Sequence, residues 1–282
     1  MAGGGDKALS IGEAWHKASG RIDRLDARLL VEHVSGCTHT DLIAHPERPL
    51  SPQAAELLAS LIARRAAGEP LAYLVGVAYF HDFEFLVSPA VLIPRPETEL
   101  LVELAQERAQ ALDTPRVLDL GTGSGIVAVT LANLCPFAEV TAVDVSPEAL
   151  EVARVNAERH APAVRFLAGD WYAPVGAERF DLIVSNPPYV VFGDPHLDAN
   201  GLPFEPQLAL TDGIAGGDGL SCIRAIIRGA RAHLVADGWL LVEHGYDQAD
   251  SIRALMLACG FINVLTWQDM ADIDRVTGGQ RG

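Results

Sequence analysis

Cysteine is scarce in this chain: Cys37, Cys135, Cys222 and Cys259 are the only four in 282 residues, and they stand far apart. No Cys-x-x-Cys pair occurs, so neither a structural zinc ribbon nor a disulfide scaffold is expected. Positive charge is also in short supply, with 21 Lys plus Arg against 37 Asp plus Glu and a formal net charge of −16. That deficit argues against any action that needs a broad basic face, such as wrapping duplex nucleic acid or adhering to anionic membrane. It leaves a narrow catalytic pocket open. No run of about 18 apolar residues occurs, and the start Met1-Ala2-Gly3-Gly4-Gly5-Asp6 lacks a basic stretch followed by an apolar core. A reducing, cytoplasmic setting without a membrane is therefore expected. Internal repeats and low-complexity tracts are missing too. What is present is 49% hydrophobic residues, which excludes chain-wide disorder, over a length that favours two domains or one large domain with an appendage.

The first 70 or so residues offer repeated helix starts and stops. Ser10 and Glu13 form a capping box before Trp15, Asp26 precedes Leu29, Leu30, Val31 and Val34, and Gly36 ends that run. Ser51-Pro52 supplies a cap and a first-turn proline before Leu57, Leu58, Leu61 and Ile62, with a stop at Gly68. Three or four short helices are expected, and they contain no catalytic constellation. Val77-Ala78-Tyr79-Phe80 and Phe83-Glu84-Phe85-Leu86-Val87 flank His81-Asp82 and read as a β-hairpin. Beyond Pro94-Arg95-Pro96, apolar strands alternate with helices: Val117-Leu118-Asp119-Leu120, Val140-Thr141-Ala142-Val143, Val164-Arg165-Phe166-Leu167, Leu182-Ile183-Val184, residues 239–243 and residues 261–266. Such alternation implies an α/β fold with a parallel sheet covered on both faces.

Three motifs carry chemistry. Asp119-Leu120-Gly121-Thr122-Gly123-Ser124-Gly125 ends a strand and opens a helix, where glycines let a ligand approach the main chain. A dinucleotide fingerprint would want its third glycine at 126, which is Ile126; the Gly-x-Gly-x-Gly form is similar to the S-adenosylmethionine loop of class I methyltransferases. The next strand ends in Val143-Asp144, and a carboxylate there can accept hydrogen bonds from both hydroxyls of a ribose. A helix cap competes for that residue, although Ser146 suits the cap better. Gly169-Asp170-Trp171 ends the third strand, where an acid and an aromatic could bond an adenine amino group and lie against its ring; a buried structural Trp is the alternative.

The third motif, Ser185-Asn186-Pro187-Pro188-Tyr189, follows an apolar strand. Two prolines at a strand end remove donors and fix φ, leaving rigid carbonyls. An amide or exocyclic nitrogen is a poor nucleophile because its lone pair is delocalised. The Asn186 side-chain carbonyl and the Pro187 backbone carbonyl could hold one such NH₂ and stabilise the positive charge that develops on methylation, with Tyr189 stacked on the planar group.

These motifs together resemble the glutamine-N5 methyltransferases that modify peptide-chain release factors. The likeness rests on Pro70-Leu71-Ala72-Tyr73-Leu74-Val75-Gly76, Val91-Leu92-Ile93-Pro94-Arg95-Pro96-Glu97-Thr98-Glu99, the glycine loop, Asn186-Pro187-Pro188-Tyr189, Phe204-Glu205-Pro206-Gln207-Leu208-Ala209-Leu210, Gly217-Asp218-Gly219-Leu220, Glu243-His244-Gly245-Tyr246-Asp247-Gln248 and Asp274-Arg275-Val276. It covers roughly residues 70–280. The resemblance implies a helical amino-terminal domain for substrate docking (1–75), a β-hairpin linker (76–93) and a class I, Rossmann-like methyltransferase domain (94–282) with a seven-stranded sheet whose last strand is antiparallel. It further implies S-adenosylmethionine as cofactor, S-adenosylhomocysteine as product, and as substrate the glutamine of a release factor's Gly-Gly-Gln motif. Gly121, Thr122, Gly123, Ser124, Gly125, Asp144, Asp170, Trp171 and Asn186 would hold the cofactor, and Asn186, Pro187, Pro188 and Tyr189 the glutamine amide. The chain's own Gly278-Gly279-Gln280 is read as coincidental.

Two relatives in chemistry compete. One modifies a glutamine of a large-subunit ribosomal protein, but those enzymes usually show Pro-Arg-Ser where this chain has Pro-Arg-Pro. The other methylates adenine N6 in nucleic acid behind the same Asn-Pro-Pro-Tyr motif. Residues 94–282 hold 13 basic and 26 acidic side chains, whereas reading a flipped base needs a basic groove for the flanking phosphates. A non-catalytic binding module is a third possibility, disfavoured by the intact motifs. His160, His196 and His233 have no second ligand at a metal spacing, so no metal is expected, nor direct contact with nucleic acid, and the chain is expected to be a monomer.

Overall fold

A computed structural model describes residues 9–160, 163–199 and 201–282. The chain divides into one unit that ends at Gly76 and another that runs from Val77 to Gly282. In the first, the described residues form five helices: α1 (Ile11–Ser19), α2 (Arg24–Ser35), α3 (His39–Ala44), α4 (Pro52–Ala66) and α5 (Leu71–Val75). The short α3 and α5 are too brief to show a helical period in sequence. The Ser10 capping box forms as expected, with Glu13 N donating to Ser10 Oγ at 3.2 Å and Ser10 N to Glu13 Oε2 at 2.9 Å. Helix α2 starts earlier than the apolar run suggests, because Asp23 caps it through Leu25 N at 2.7 Å. Asp26 instead receives Arg65 Nε at 2.6 Å, which ties α2 to α4. Ile11, Leu30, Val31, Leu58 and Leu61 close this unit's core.

The second unit opens with the hairpin β1 (Val77–Phe80) and β2 (Phe83–Leu86), paired antiparallel about His81-Asp82. There follow α6 (Thr98–Ala109), β3 (Arg116–Leu120), α7 (Ile126–Leu134), β4 (Glu139–Asp144), α8 (Pro147–His160), β5 (Arg165–Ala168) and β6 (Phe180–Ser185). A long connection holds the short helix α9 (Gln207–Leu210), and the chain closes with α10 (Ser221–His233), β7 (Leu234–Glu243), α11 (Ala249–Ala258), β8 (Phe261–Gln268) and β9 (Asp274–Arg281). The hairpin packs into this unit, since Phe80 and Phe85 join the core beside α6 and α7. Buried Asn156 of α8 stitches it down, accepting from Leu86 N at 2.7 Å and donating to Leu86 O at 3.0 Å and Ser124 O at 2.9 Å.

The seven-stranded sheet has the order β5-β4-β3-β6-β7-β9-β8, parallel except for β9. One apolar cluster lies on the face covered by α6, α7 and α8, and another on the face covered by α10 and α11. Successive connections run one way from β3 through β4 to β5, then return to β6 on the other side of β3. That reversal is where open α/β sheets bind ligands, beyond the carboxyl ends of the strands. Leu120 pairs with Ser185 there, so the glycine loop and the Asn-Pro-Pro-Tyr segment leave the sheet side by side.

Strand β9 accounts for Gly278-Gly279-Gln280. A Cβ at Gly278 would stand 2.5 Å from Leu241 Cδ2 and 2.9 Å from Leu240 O, so glycine permits the close approach of β9 to β7. Gln280 donates Nε2 to Asp237 O at 2.9 Å and accepts from Asn263 Nδ2 at 2.8 Å. The tripeptide is a structural part of the sheet. The sequence pattern alone marks only six strands because two glycines weaken the apolar signal of this one.

Candidate active site

A cavity of ≈ 340 Å³ opens at the switch point, lined among others by Gly121, Gly123, Asp144, Asp170, Trp171 and Asn186. That size is ordinary for a cofactor site. Gly121, Gly123 and Gly125 all take positive φ, at 74°, 57° and 84°, which explains why three glycines recur in five residues. At Gly125 a Cβ would meet Ala153 Cβ at 3.1 Å, so this glycine also lets α8 approach the loop. At Gly123 no atom lies within 4 Å of a Cβ position. The backbone there faces open space at the head of α7, as a ligand cradle requires.

The loop is braced by two acids. Thr122 Oγ1 donates to Asp119 Oδ2 at 2.7 Å. Asp144 Oδ2 accepts from Gly123 N at 2.8 Å and Oδ1 from Ser146 N at 2.9 Å. Ser146 Oγ accepts from Ala149 N at 3.1 Å, so Ser146 caps α8 and Asp144 is left to the loop and the cavity. A carboxylate offers about four acceptor sites, so Asp144 can still accept from a ribose hydroxyl on the cavity side. Trp171 sits at φ 40° with its ring 3.5 Å from a Cβ position on Gly121. It both lines the cavity and rests on the core beneath, so the two sequence readings of this residue are compatible.

Asn186 and Pro188 line the cavity, while Pro187 and Tyr189 do not. The Asn186 amide donates Nδ2 to Thr98 Oγ1 at 3.0 Å, which leaves Oδ1 to accept. The Tyr189 hydroxyl points to Glu243 Oε1 at 3.4 Å, and its carbonyl accepts from Gln248 Nε2 at 3.0 Å. Gln248 in turn accepts from Gly245 N at 2.9 Å. The Glu243-to-Gln248 stretch thus clamps the Asn-Pro-Pro-Tyr segment from below. On the rim, Glu205 accepts from Ile93 N at 3.0 Å and from Arg95 Nη2 at 2.5 Å, joining the Pro-Arg-Pro turn to the connection before α9. Thr98, Glu205 and Glu243 are neighbours of the cavity motifs that sequence periodicity does not reveal; only their place in the motif segments marks them.

Gly219 explains another of those segments. Its φ is +71°, and a Cβ there would lie 2.4 Å from Tyr189 O. Gly213 has a comparable φ of +69° with nothing within 4 Å of the Cβ position. Gly219→Ala should therefore destabilise the protein by about 2 kcal/mol and cut turnover, while Gly213→Ala costs only its backbone strain, about 1 kcal/mol. Urea denaturation and methyl-transfer rates measured on both variants check this; equal behaviour would show that the Tyr189 carbonyl tolerates displacement.

Two buried acids have displaced acidities. Burial pushes the Asp119 carboxyl up to about 7, helped by the nearby Asp144 charge and opposed by the Thr122 hydroxyl. Burial likewise pushes Glu243 up to about 7, opposed by hydrogen bonding from Thr98 and by the Arg275 charge. Between the unfolded value of 4.5 and the folded value of about 7, the unfolded chain has released the Glu243 proton while the folded chain keeps it. Stability contributed by this group accordingly falls as pH rises through that window and levels off above it. Glu243→Gln removes that slope, so relative to wild type the variant should gain on the order of 3 kcal/mol between about pH 4.5 and about pH 7.5. Urea denaturation across this range tests it, and a constant difference would contradict the assignment.

Among the described residues, no group of three His, Cys, Asp or Glu side chains could hold a metal ion, and no helix is long and apolar enough to cross a membrane. A family model described as the PrmC N-terminal domain matches residues 11–76, and one described as the methyltransferase small domain matches residues 96–199. The chain is 49% identical to the release factor glutamine methyltransferase of Bordetella pertussis, over 92% of this chain and 95% of that protein. It is 48% identical to the enzyme of the same description from Burkholderia pseudomallei, over 92% of each. Among solved structures, a methyltransferase from Pyrococcus furiosus shares the fold with a TM-score of 0.53 at 18% identity, over 79% of this chain and 99% of that one.

Proposed function

The chain belongs to the release factor glutamine methyltransferase family, and from that premise we propose how its own residues perform the reaction. It is an S-adenosylmethionine-dependent protein methyltransferase that modifies the N5 amide nitrogen of a release-factor glutamine, the glutamine of the Gly-Gly-Gln motif in bacterial class-one factors. When bound, S-adenosylmethionine supplies an electrophilic methyl group on a sulfonium centre. The glycine loop from Gly121 to Gly125 would receive it at the head of α7, Asp144 would accept from the ribose hydroxyls, and Asp170 with Trp171 would hold the adenine.

The observation that carries the reading is the Asn186 amide. With Nδ2 committed to Thr98 at 3.0 Å, the group on the cavity side is the Oδ1 acceptor. An acceptor is what a substrate NH₂ requires, and it becomes more valuable as that nitrogen turns cationic. Asn186 Oδ1 and the Pro187 carbonyl hold the glutamine amide with its nitrogen toward the methyl donor, while Pro188 lines the slot and Tyr189, outside the cavity wall, braces the segment through Glu243 and Gln248. The amide nitrogen held by Asn186 would take the methyl group that S-adenosylmethionine would supply, with S-adenosylhomocysteine as the other product, and would lose one proton to water. No side chain need act as a strong base.

The helical unit, residues 1–75, is proposed to dock the release factor, with residues 76–93 as hairpin and 94–282 as the catalytic part. The enzyme is proposed to act as a cytoplasmic monomer without binding nucleic acid. The excess of acidic over basic residues in 94–282 supports this over adenine-N6 methylation, since flanking phosphates would meet repulsion. Transfer of labelled methyl groups to a release factor, to duplex DNA and to single-stranded DNA is the test. Label in the release factor alone is expected; label in DNA would favour the adenine reading.

A further inference from the structure

The Asn-Pro-Pro-Tyr motif places an asparagine at the reacting nitrogen, but an asparagine amide can turn over. Rotated by 180°, Asn186 would offer its own NH₂ to the substrate NH₂, and donor would face donor. Something beneath it must select the productive rotamer. Thr98, at the first turn of α6, is fully buried and accepts from Asn186 Nδ2 at 3.0 Å. Glu243, at the end of β7, is only 1% exposed, its Oε2 has no hydrogen-bond partner, and the nearby Thr98 hydroxyl holds its acidity against the upward push of burial.

The polarity of this chain of groups follows from proton counting. Above about pH 7, where Glu243 is ionised, it has no proton to give, so the single hydroxyl proton of Thr98 goes to the carboxylate. The remaining lone pairs of Thr98 Oγ1 can only accept, so they select the NH₂ edge of Asn186. The carbonyl edge is thereby left facing the cavity. We propose that Thr98 is a positioning residue that fixes the orientation of the Asn186 amide, and that Glu243 sets the direction of the Thr98 hydroxyl. The inference rests on the role given to Asn186 above. It also gives a reason for threonine in Pro-Glu-Thr-Glu and for glutamate in Glu-His-Gly, two segments with no other assigned chemistry.

The test compares wild type with Thr98→Val, Thr98→Ser, Glu243→Gln and Asn186→Ala. It measures kcat and KM for the release factor, cofactor affinity by calorimetry, and thermal unfolding. Thr98→Val keeps shape but cannot accept, so kcat should fall about 10-fold, with cofactor affinity changed far less. Thr98→Ser restores the acceptor and should return kcat to within about threefold of wild type. Glu243→Gln can donate to Thr98 and frees its polarity, so kcat should fall by about threefold or more at a pH of about 8.5, where the wild-type acid is ionised. A normal kcat in Thr98→Val beside an impaired Asn186→Ala overturns the inference alone, as does a Thr98→Ser as slow as Thr98→Val, which would assign the loss to packing. If Thr98→Val does not fold, an undiminished kcat in Glu243→Gln overturns it. A near-normal Asn186→Ala overturns the role of Asn186 itself and the inference with it.

Discussion

Asn186→Ala should turn over about 10²–10³-fold more slowly than wild type, with a much smaller loss of cofactor affinity. The size follows from what the side chain does in the transition state. A planar amide nitrogen surrenders conjugation as it attacks, and positive charge accumulates on it while the new bond forms. An acceptor fixed beforehand stabilises that charge without reorganising, which is where preorganised dipoles act most strongly. Asn186 meets this condition because its other edge is already bonded to a buried residue. The alanine variant leaves the backbone carbonyl of Pro187 in place, so a residual rate should persist. Single-turnover kinetics at saturating release factor separates this loss from weakened binding. Turnover near wild type, with cofactor bound, would show that the acceptor is dispensable.

Asp144→Ala should weaken S-adenosylmethionine binding by on the order of 10²-fold or more. A charged acceptor for two ribose hydroxyls contributes about 1.5–3 kcal/mol per hydrogen bond. The residue also pins Gly123 N at 2.8 Å and Ser146 N at 2.9 Å, so its loss loosens the loop that faces the ligand. Burial raises the pKa of this carboxyl, while backbone N–H groups from Ser146, Gly123 and Val145 oppose that rise. The site therefore spends desolvation on keeping an acid at the cavity wall, as expected of a binding group rather than a surface cap. Calorimetric titration of the variant with cofactor is the check; affinity within about threefold of wild type would remove Asp144 from the ribose site.

The parts of this architecture that sequence conveys are those decided locally. Strand and helix alternation, the hairpin about His81-Asp82 and the positive-φ glycines of the loop each depend on a few consecutive residues. Asn186-Pro187-Pro188-Tyr189 stands out for the same reason, since paired prolines at a strand end make little sense as a plain turn. What stays hidden is whatever joins distant segments. Asn186 meets Thr98 across 88 positions, and Arg95 meets Glu205 across 110. No periodicity encodes such pairs; only the fold brings them together. Strand β9 is obscured differently, because Gly278 permits close packing against β7 and Gly279 against β8 and α11, at the expense of strand propensity. Asp26 misled as a helix start because its apolar neighbours begin beside it, while its side chain serves an ion pair with Arg65.

Net charge is most informative when combined with the site. An acidic catalytic part does not by itself exclude a nucleotide substrate, but it does conflict with a groove for a flipped base. The chemistry of the cavity is common to glutamine and adenine, since both present an NH₂ on an sp² carbon. Discrimination must come from what surrounds that NH₂, namely the protein that carries it. The most direct measurement is to incubate the enzyme with S-adenosylmethionine and a release factor and locate the added methyl group by peptide mass spectrometry. One methyl on the side-chain nitrogen of the Gly-Gly-Gln glutamine is the predicted result; a release factor unmodified at that glutamine, with the enzyme folded and cofactor bound, would contradict it.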